Sequence, residues 1–531
     1  MNKPYFARIK LNRMLITINN NKVQVEEGVS VMKVAQNMGI HVPNMCWHDE
    51  LEHFTSCMLC VMKDQKNGQL FPSCSVKVTE GMEIITDDAE ISEARKTALE
   101  LLLSEHVGDC EAPCQIACPA HINIPLMNRL IAAEKFDESL AVVRRDIALP
   151  AVLGRICPAP CENACHRKTV DEAISICLLK RFVGDEYATP KIIPAAKTGK
   201  KAAVIGAGPA GLAAAYYLQL KGVQVTLFDK NEYAGGMLRT AISTEILPLD
   251  VLDKEIDIIL NTGIDFQRDK EITAEIFQQL KNEFDAVIVA TGTVSEKSEF
   301  FGLKASPKGI IADKDSYQTS DEKVFAVGNV LRSSRLAVRS VAQGKEVAFS
   351  VLQLFNEQKP EGEPRMFNSR FGKLMSAEFS EYKKETVGKK RIAGQARNDG
   401  PLTDFTKNEA IAEALLCLHC DCRAVNTCKL REYSNRYQAD QKRFKTGERQ
   451  NITKQMNHDI VVYEAQKCIK CGICVRLSKK YDEKLGLTYI GRGFDVKIGV
   501  PFNEELKNGL EKIAAKVAEN CPTGGLRKFE V

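Results

Sequence analysis

Apolar and polar residues alternate in two short runs near the start of the chain, LITINN and VQVEEG, which an Asn-Lys turn separates. Alternation with a period of two is typical of half-buried strands, so the two runs predict a β-hairpin. The following SVMKVAQNMG has helical spacing, and GMEIITD is strand-like again. Residues 14–90 therefore predict a small α+β domain.

Helical periodicity dominates the next segment. The runs ISEARKTALELLLSEH and IPLMNRLIAAEKFDESLAVVRRD repeat apolar residues three and four positions apart, and cysteine-bearing loops accompany them. Residues 91–190 therefore predict a helical domain. Over residues 198–358 the pattern changes to strand, glycine turn, helix and strand, which predicts an α/β domain.

The remaining chain divides by composition. Residues 359–410 are charged, contain Pro and Gly, and show no clear period, so they predict a linker on the surface. Two cysteine-rich segments follow, at 411–455 and 456–531. The sequence as a whole predicts a multidomain protein of α/β and α+β class, as expected for 531 residues.

The cysteine content points to the chemistry. The chain has 19 cysteines, and no secretory signal is recognisable, so ligation of metal or clusters is favoured over disulfides. The 73 basic residues nearly balance the 69 acidic ones, which gives no electrostatic reason for a nucleic-acid partner. No apolar run approaches the ~20 residues that span a bilayer. We expect a cytoplasmic protein without a membrane span.

The first cysteine group contains a tight CMLC turn and one cysteine on either side of it. Four thiolates are what a [2Fe–2S] cluster needs, whereas a zinc site would more usually show two CxxC pairs. The spacing resembles the β-grasp ferredoxin domain of complex I and iron hydrogenases, and this resemblance covers about residues 14–90. It implies that a [2Fe–2S] cluster is bound by Cys46, Cys57, Cys60 and Cys74.

The second group lies in DCEAPCQIACPAHINIP and GRICPAPCENACHRK. These strings resemble the helical domain of the glutamate synthase small subunit and of dihydropyrimidine dehydrogenase, which holds two [4Fe–4S] clusters. The resemblance implies that each cluster draws ligands from both strings. One set would be Cys110, Cys114 and Cys165, and the other Cys118, Cys157 and Cys161.

Each of these two sets lacks a fourth ligand, because the sequence departs from the family pattern. His106, in HVGDC, resembles the start of a one-histidine, three-cysteine motif of complex I, and an imidazole can replace a thiolate on iron. A capping or surface histidine is the alternative. The family's other variable ligand aligns with Lys180, a poor iron ligand. Cys177 lies one helical turn earlier and could substitute, or could be a free buried cysteine.

The α/β segment carries a glycine turn in KAAVIGAGPAGLAAAYYL, followed by an acidic residue, Asp229, at the end of VQVTLFD. A strand, this turn and a helix form a pyrophosphate site, and the carboxylate is suited to ribose hydroxyls. With YAGGMLR, DAVIVATG and KVFAVGN, the segment resembles Rossmann-like FAD-binding pyridine-nucleotide reductases. Asn329 stands where that family usually has aspartate. The implied FAD site comprises Gly206, Gly208, Gly211, Asp229, Gly235, Gly236, Gly292, Gly328 and Asn329.

The last two cysteine groups differ in how specific they are. CLHCDCRAVNTC could bind either a [4Fe–4S] cluster or zinc through Cys417, Cys420, Cys422 and Cys428. CxxCxxC followed by a distant Cys-Pro is the bacterial ferredoxin arrangement, and it predicts one [4Fe–4S] cluster in a ferredoxin-like domain. Its ligands would be Cys468, Cys471, Cys474 and Cys521.

Together the resemblances imply an iron–sulfur flavoprotein oxidoreductase with one FAD, one [2Fe–2S] and three or four [4Fe–4S] clusters, acting as a subunit. Its partners would be other redox subunits or a ferredoxin-like carrier. The alternatives are an NAD(P)H-dependent reductase of glutamate synthase type and a non-catalytic electron relay in a formate dehydrogenase, hydrogenase or similar complex. Only residues 293–327 separate Gly292 from Gly328, too few for the family's second nucleotide domain. We therefore expect the FAD domain to lack the NAD(P)H-binding insert.

Overall fold

The chain forms two units, and the computed structural model describes residues 13–187, 192–293, 301–384, 404–445 and 447–529. The first unit combines Met1–Glu111, Met366–Lys384 and Asp421–Glu530. The second unit combines Ala112–Arg365 with Glu385–Cys420. Each unit therefore contains segments that are distant in the sequence.

A five-stranded mixed sheet occupies the N-terminal part of the first unit. The predicted hairpin is present, and its first strand also pairs in parallel with the last strand of the sheet. The Ser30 hydroxyl caps the helix Val31–Asn37 by accepting a hydrogen bond from the Lys33 N–H. In spatial order the strands are Asn21–Glu26, Arg13–Ile18, Glu83–Ile85, Val61–Asp64 and Leu70–Pro72.

The helix Ala89–Glu105 is fixed to this sheet by a buried arginine. Asp88 caps the helix at its N-terminus, accepting from the Ile91 N–H at 2.8 Å. The Arg95 guanidinium donates to the carbonyl oxygens of Leu59, Val61 and Thr86 at 3.1, 2.8 and 2.8 Å. One cation thus satisfies three carbonyl groups that would otherwise be buried without partners.

The C-terminal part of the first unit is a small α+β assembly. An antiparallel sheet joins Lys454–Gln455, Val461–Glu464 and Leu526–Lys528, and a hairpin joins Thr488–Ile490 and Lys497–Gly499. The helices of this part are Lys429–Arg436, Ile473–Lys480, Leu506–Gly509 and Ala514–Asn520, with 3-10 turns at Ala465–Lys467, Gly493–Asp495 and Pro501–Asn503.

Part of the segment predicted to be a linker is anchored in the first unit. It contains a 3-10 turn, Ser376–Glu378, and a helix, Phe379–Lys383. Glu378 is buried, and its carboxylate accepts from the Arg449 guanidinium at 2.5 and 2.6 Å and from the Ile452 N–H at 3.1 Å. One of the charged residues of this segment, Glu378, is therefore buried in an ion pair. Residues 385–403 of the predicted linker lie outside the described residues.

The second unit begins with helices and continues into a parallel sheet. Its helical part comprises Pro113–Ala117, Ile124–Ala132, Phe136–Asp146, Pro150–Ile156, Pro160–Asn163 and Ile176–Glu186, with a 3-10 turn at His166–Thr169. The helix Lys407–Ala414 packs on Ile124–Ala132 and on Ile176–Glu186. The last part of the described linker segment therefore completes the helical domain.

The sheet of the second unit has five parallel strands, in the order Val324–Ala326, Ala286–Val289, Lys201–Ile205, Gln224–Phe228 and Asp265–Gln267. The central strand is nearly all apolar, as expected for a strand covered on both faces. A two-stranded ribbon joins Ala305–Ser306 and Gly309–Ile310. The accompanying helices are Pro209–Leu220, Met237–Thr240, Leu249–Leu260, Ala274–Glu283 and Ala337–Phe355, with a 3-10 turn at Gly328–Val330.

None of the helices among the described residues combines the length and the apolar character needed to cross a bilayer.

A buried ion pair joins the two parts of the second unit, and it provides a test of the fold. The Arg144 guanidinium lies 2.7 Å from the Glu255 carboxylate, which also accepts from the Ala151 N–H at 2.9 Å. Because Glu255→Ala leaves the Arg144 charge buried without a carboxylate, we expect a loss of about 3–5 kcal/mol in the stability of this region. Hydrogen exchange of the amides in Pro150–Ile156 and Leu249–Leu260 should accelerate.

The matched control is Glu138→Ala, which removes an exposed ion pair with Lys135 in the same unit. Exposed pairs contribute about 0–1 kcal/mol, so exchange should change little there. Equal exchange in the two variants would contradict the role given to Glu255.

Candidate functional site

The four cysteines of the first predicted group converge in the first unit and are all buried. The Sγ atoms of Cys46 and Cys57 are 3.5 Å apart, and those of Cys60 and Cys74 are 3.0 Å apart. The hydrogen bond between these two side chains lowers the pKa of Cys46 to about 5, and the same contact and burial raise the pKa of Cys57. Two close sulfur pairs on one loop region fit the ligand set of a [2Fe–2S] cluster.

The cysteines of the C-terminal group line one cavity of the first unit, together with Tyr463 and Pro522. Cys521 ends the helix Ala514–Asn520, which brings this distant cysteine to the CxxCxxC loop. Burial, with the neighbouring Cys521, raises the pKa of Cys468 to about 11. The arrangement fits a single [4Fe–4S] cluster held by Cys468, Cys471, Cys474 and Cys521.

Arg476 connects these two groups within the first unit. Its guanidinium donates to the Cys46 carbonyl oxygen at 3.0 Å and to the Cys471 carbonyl oxygen at 3.4 Å. Cys46, Cys57 and Cys471 also belong to the same hydrophobic core. The loops of two predicted clusters are therefore held side by side by one arginine and shared packing.

In the second unit, four cysteines surround a buried lysine. The Cys177 thiol interacts with both Cys157 and Cys161. Lys180 lies 4% exposed, with its Nζ 3.9 Å from the Cys177 Sγ. Burial disfavours its charge, but the negative potential of Cys177, Cys157, Cys161 and Cys118 outweighs burial and raises its pKa.

A second group of cysteines lines a cavity of the second unit. The empty volume of this cavity, including the part that is open to solvent, is about 330 Å³. Its sulfur-bearing residues are Cys114, Cys165, Cys417 and Cys420. Asn128 also lines this cavity and is 1% exposed. Neither polar atom of the Asn128 amide has a hydrogen-bond partner among the described residues.

The other cysteines of the Cys417–Cys428 segment lie in the first unit, beside Cys110. The Cys422 N–H donates to the Cys110 carbonyl oxygen at 3.0 Å. Burial and the nearby Cys422 raise the pKa of Cys110 to about 11, and burial with Cys422 and Cys110 raises that of Cys428 to about 12. A Cβ added at Gly524 would overlap the Cys422 sulfur, so the loop after Cys521 closely approaches this group.

His106 is in the first unit too, at the C-terminal end of the helix Ala89–Glu105. It is 8% exposed, and its Nδ1 atom has no hydrogen-bond partner among the described residues. Burial, with the nearby positive charges of Lys467 and Lys445, lowers its pKa to about 4. The imidazole is therefore neutral at physiological pH, which is the form that binds metals. These features argue against a surface histidine.

The four cysteines of the site predicted at Cys417, Cys420, Cys422 and Cys428 are divided between the two units. Cys417 and Cys420 belong to the second unit and line its cavity, whereas Cys422 and Cys428 belong to the first unit and accompany Cys110. Between these two pairs, His419 has a positive φ of 45° and the chain bends at Asp421. Over the parts of the chain that are described, no group of three or more ligand residues is arranged to hold a single metal ion.

Two glycines of the predicted FAD site, Gly206 and Gly211, stand where close backbone approach requires them. A Cβ on Gly211 would overlap the Gly206 carbonyl oxygen, and one on Gly206 would lie 2.5 Å from the Ala290 carbonyl oxygen. A Cβ on Gly208, at the start of the helix Pro209–Leu220, would meet nothing within 4 Å. That open space before a helix N-terminus fits the pyrophosphate of a dinucleotide.

The remaining residues of this site are positioned around the same turn. Gly235 donates its N–H to the Ala207 carbonyl oxygen at 2.8 Å. The Gly328 N–H donates at 2.9 Å to Gln343, a residue that the sequence pattern did not single out. The backbones of Gly236, Gly292 and Gly328 all have positive φ, and the Asn329 side chain accepts from the Ser334 N–H at 3.1 Å.

Asp229 stabilises the backbone around the glycine turn, in addition to the predicted ribose contact. One carboxylate oxygen accepts from the Ala207 N–H at 2.6 Å. The other accepts from the backbone and side-chain N–H groups of Asn231 at 2.9 and 2.8 Å. The carboxylate therefore ties the end of its strand to the glycine turn, and spare lone pairs remain for a ribose hydroxyl.

Four family models match this chain in succession. Residues 12–89 match a 2Fe-2S iron-sulfur cluster binding domain, and residues 84–192 match dihydropyrimidine dehydrogenase domain II, 4Fe-4S cluster. Residues 178–344 match the pyridine nucleotide-disulphide oxidoreductase family. Residues 458–527 match the ferredoxin-like domain of NADH-quinone oxidoreductase subunit 3. These matches confirm the domain resemblances that the sequence motifs indicated.

Similar proteins are redox subunits by name. The chain is 42% identical over 205 residues to the NADPH-Fe(3+) oxidoreductase subunit beta of Geobacter sulfurreducens, covering 37% of this chain and 30% of that protein. It is 39% identical over 207 residues to the NADP(+)-dependent formate dehydrogenase subunit beta of Moorella thermoacetica, covering 34% and 29%. The glutamate synthase [NADPH] small chain of Bacillus subtilis is 36% identical over 205 residues, covering 36% and 41%.

The chain thus spans less than half the length of each of these relatives. What it shares with them is a set of redox domains, which agrees with the cysteine groups and the glycine turn described above. The chain thus combines regions that match a 2Fe-2S domain, a 4Fe-4S domain, a pyridine nucleotide-disulphide oxidoreductase domain and a ferredoxin-like domain.

Proposed function

We propose that this chain is an electron-transfer subunit of a larger redox complex, exchanging electrons between one FAD, its iron–sulfur clusters and a partner subunit or ferredoxin-like carrier. When bound, flavin handles electron pairs and the clusters handle single electrons. The observation that carries the proposal is the Arg476 contact, which holds the Cys46 and Cys471 loops together in the first unit. Such fixed neighbours suit stepwise transfer between clusters.

A third cysteine group continues this series in the same unit. The Lys429 N–H, next to Cys428, donates to the Pro522 carbonyl oxygen at 2.9 Å. Gly524, two residues further on, contacts the Cys422 sulfur. The loop that carries Cys521 therefore borders the group of Cys110, Cys422 and Cys428. The order of these contacts supports an electron-transfer route that runs from the [2Fe–2S] site through the C-terminal site to this third group.

The cluster inventory that we propose is one [2Fe–2S] and four [4Fe–4S] clusters, with iron in place of zinc at the Cys417–Cys428 cysteines. We assign Cys177 as the fourth ligand of the set of Cys118, Cys157 and Cys161, since its thiol interacts with two of them. We assign His106 to the group of Cys110, supported by its buried Nδ1 without a partner. The sheet order of residues 13–85 supports the β-grasp assignment of the first domain.

The names of the relatives favour a second candidate, a reductase that takes electrons directly from NADPH or NADH. We infer instead that this chain lacks the domain for it. Between the strands Ala286–Val289 and Val324–Ala326, the described residues form only the ribbon Ala305–Ser306 with Gly309–Ile310. A nucleotide-binding βαβ unit needs ~30 residues with a helix. Residues 294–300 of this interval lie outside the described residues.

The proposed function predicts that the flavin is not reduced directly by a nicotinamide nucleotide. Stoichiometric NADPH or NADH, added anaerobically to the purified holoprotein, should leave the flavin absorbance near ~450 nm unchanged. Dithionite in the same cuvette is the positive control and should bleach it. Rapid bleaching by either nucleotide without a partner present would favour the second candidate.

The glycine turn gives a test of FAD binding with a matched pair of variants. Gly211→Ala forces a methyl group onto the Gly206 carbonyl oxygen, so we expect about 1–3 kcal/mol of destabilisation and loss of bound FAD. Gly208→Ala meets no protein atom, so the unfolding transition should stay within about 0.5 kcal/mol while FAD binds about tenfold more weakly. Full FAD occupancy in Gly208→Ala would contradict the placement of the pyrophosphate at this position.

The assigned fourth ligands predict separate losses. His106→Ala and Cys177→Ala should each disrupt a different [4Fe–4S] EPR signal and leave the [2Fe–2S] signal intact, because the two residues belong to different groups. Lys180→Met is the control for Cys177, since it removes the adjacent charge and keeps the sulfur. It should retain the iron but make the potential of the same cluster more negative. An unchanged spectrum and iron content in His106→Ala or Cys177→Ala would exclude that residue as a ligand.

A further inference from the structure

The cavity beside Cys114 draws its sulfur atoms from three parts of the second unit. Cys114 lies in the short helix Pro113–Ala117, and Cys165 precedes the 3-10 turn His166–Thr169. Cys417 and Cys420 follow the helix Lys407–Ala414, about 250 residues further along the chain. The rest of the lining is mainly apolar, with Pro113, Ile124, Pro125, Ile174, Ile176 and Leu418.

Two buried contacts hold the Cys417 segment at this cavity. The Arg167 guanidinium donates to the Leu416 carbonyl oxygen at 2.7 Å, next to Cys417. One oxygen of the Glu413 carboxylate accepts from the Ser175 N–H at 2.7 Å, at the start of the helix Ile176–Glu186. Arg167 itself lines the cavity, Leu416 precedes Cys417, and Ser175 lies between two lining residues. The segment is therefore built into the helical domain and does not merely pass over it.

Asn128 supplies an independent sign of a ligand. Its side chain lies in the wall of this cavity and is 1% exposed, and its amide nitrogen and oxygen have no hydrogen-bond partner among the described residues. Leaving a buried amide without partners costs about 1–3 kcal/mol for each group. A cluster in the cavity would offer sulfur acceptors to the amide N–H groups, and such hydrogen bonds are known to set cluster potentials.

We propose that Cys114, Cys165, Cys417 and Cys420 together bind one [4Fe–4S] cluster. This set differs from the one that the family resemblance implied, in which Cys110 joins Cys114 and Cys165. It also differs from a self-contained site in the Cys417–Cys428 segment. The assignment rests on the proposed iron–sulfur chemistry and is independent of how the flavin is reduced.

Pairs of alanine variants, measured in the full chain, distinguish these three sets. Cys114→Ala and Cys417→Ala should each abolish or alter the same [4Fe–4S] EPR signal, and the double variant should affect no further signal. Its iron content should fall by about four atoms. Cys417→Ala combined with Cys428→Ala should instead affect two signals and remove about eight iron atoms. The [2Fe–2S] signal and the FAD content of each variant report whether the chain has folded.

The opposite pattern would overturn the proposal. If Cys417→Ala with Cys428→Ala affects only one signal, the segment forms its own site. If Cys114→Ala with Cys417→Ala affects two signals, the cavity residues serve different clusters. The absence of every [4Fe–4S] signal from the wild-type holoprotein would instead contradict the proposed function. Failure of the ligand assignment and failure of the proposed function are therefore distinguishable.

Asn128→Leu tests the location by a different measurement. It removes the amide donor and keeps a similar volume, so the cluster that is sensitive to Cys114 and Cys417 should keep its iron and acquire a more negative potential. Redox titration followed by EPR measures this shift for each signal separately. A shift in any other cluster, with none in this one, would contradict the assigned site.

Discussion

A lysine ammonium group is buried among cysteine sulfurs in the helical part of the second unit, and its charge constrains what those sulfurs can hold. Lys180 is 4% exposed, and the charges that act on it come from Cys118, Cys157, Cys161 and Cys177. Burying a charge without compensation costs several kcal/mol. Neutral thiols offer little compensation, whereas cysteines bound to iron are thiolates. A negatively charged cluster held by these four sulfurs would supply that compensation.

In the first unit, the charge of a buried lysine is compensated by a different group. Lys467 is also buried and lies close to Cys422, but the Glu464 carboxylate is 2.8 Å from its Nζ and Arg423 is 3.3 Å from the same carboxylate group. A carboxylate therefore neutralises this lysine, whereas the sulfurs themselves balance Lys180. Net charge around a cluster is one of the factors that set its potential. Clusters at the two sites should thus differ in potential even where their ligands are alike.

Local patterns in the sequence predicted those features whose physics is local. The turn of Gly206, Gly208 and Gly211 requires small residues at fixed spacing, and the structure shows which atoms would collide. The division of the Cys417–Cys428 segment could not be predicted in this way. Cys420 and Cys422 are separated by one residue, and only the tertiary fold decides which cysteines each will meet. The same holds for Lys180, a poor iron ligand, because its burial depends on the tertiary fold.

The position of Asp421 shows why this division matters for electron transfer. It is the one residue between Cys420, which we place in the cavity of the second unit, and Cys422, which accompanies Cys110 in the first. A subunit that moves electrons must keep its redox groups in a fixed order, and non-covalent contacts such as those of Arg476 can do so within a unit. Cys420 and Cys422 lie on either side of Asp421 in one backbone segment, so the two cysteine groups that we propose are connected covalently by the chain itself.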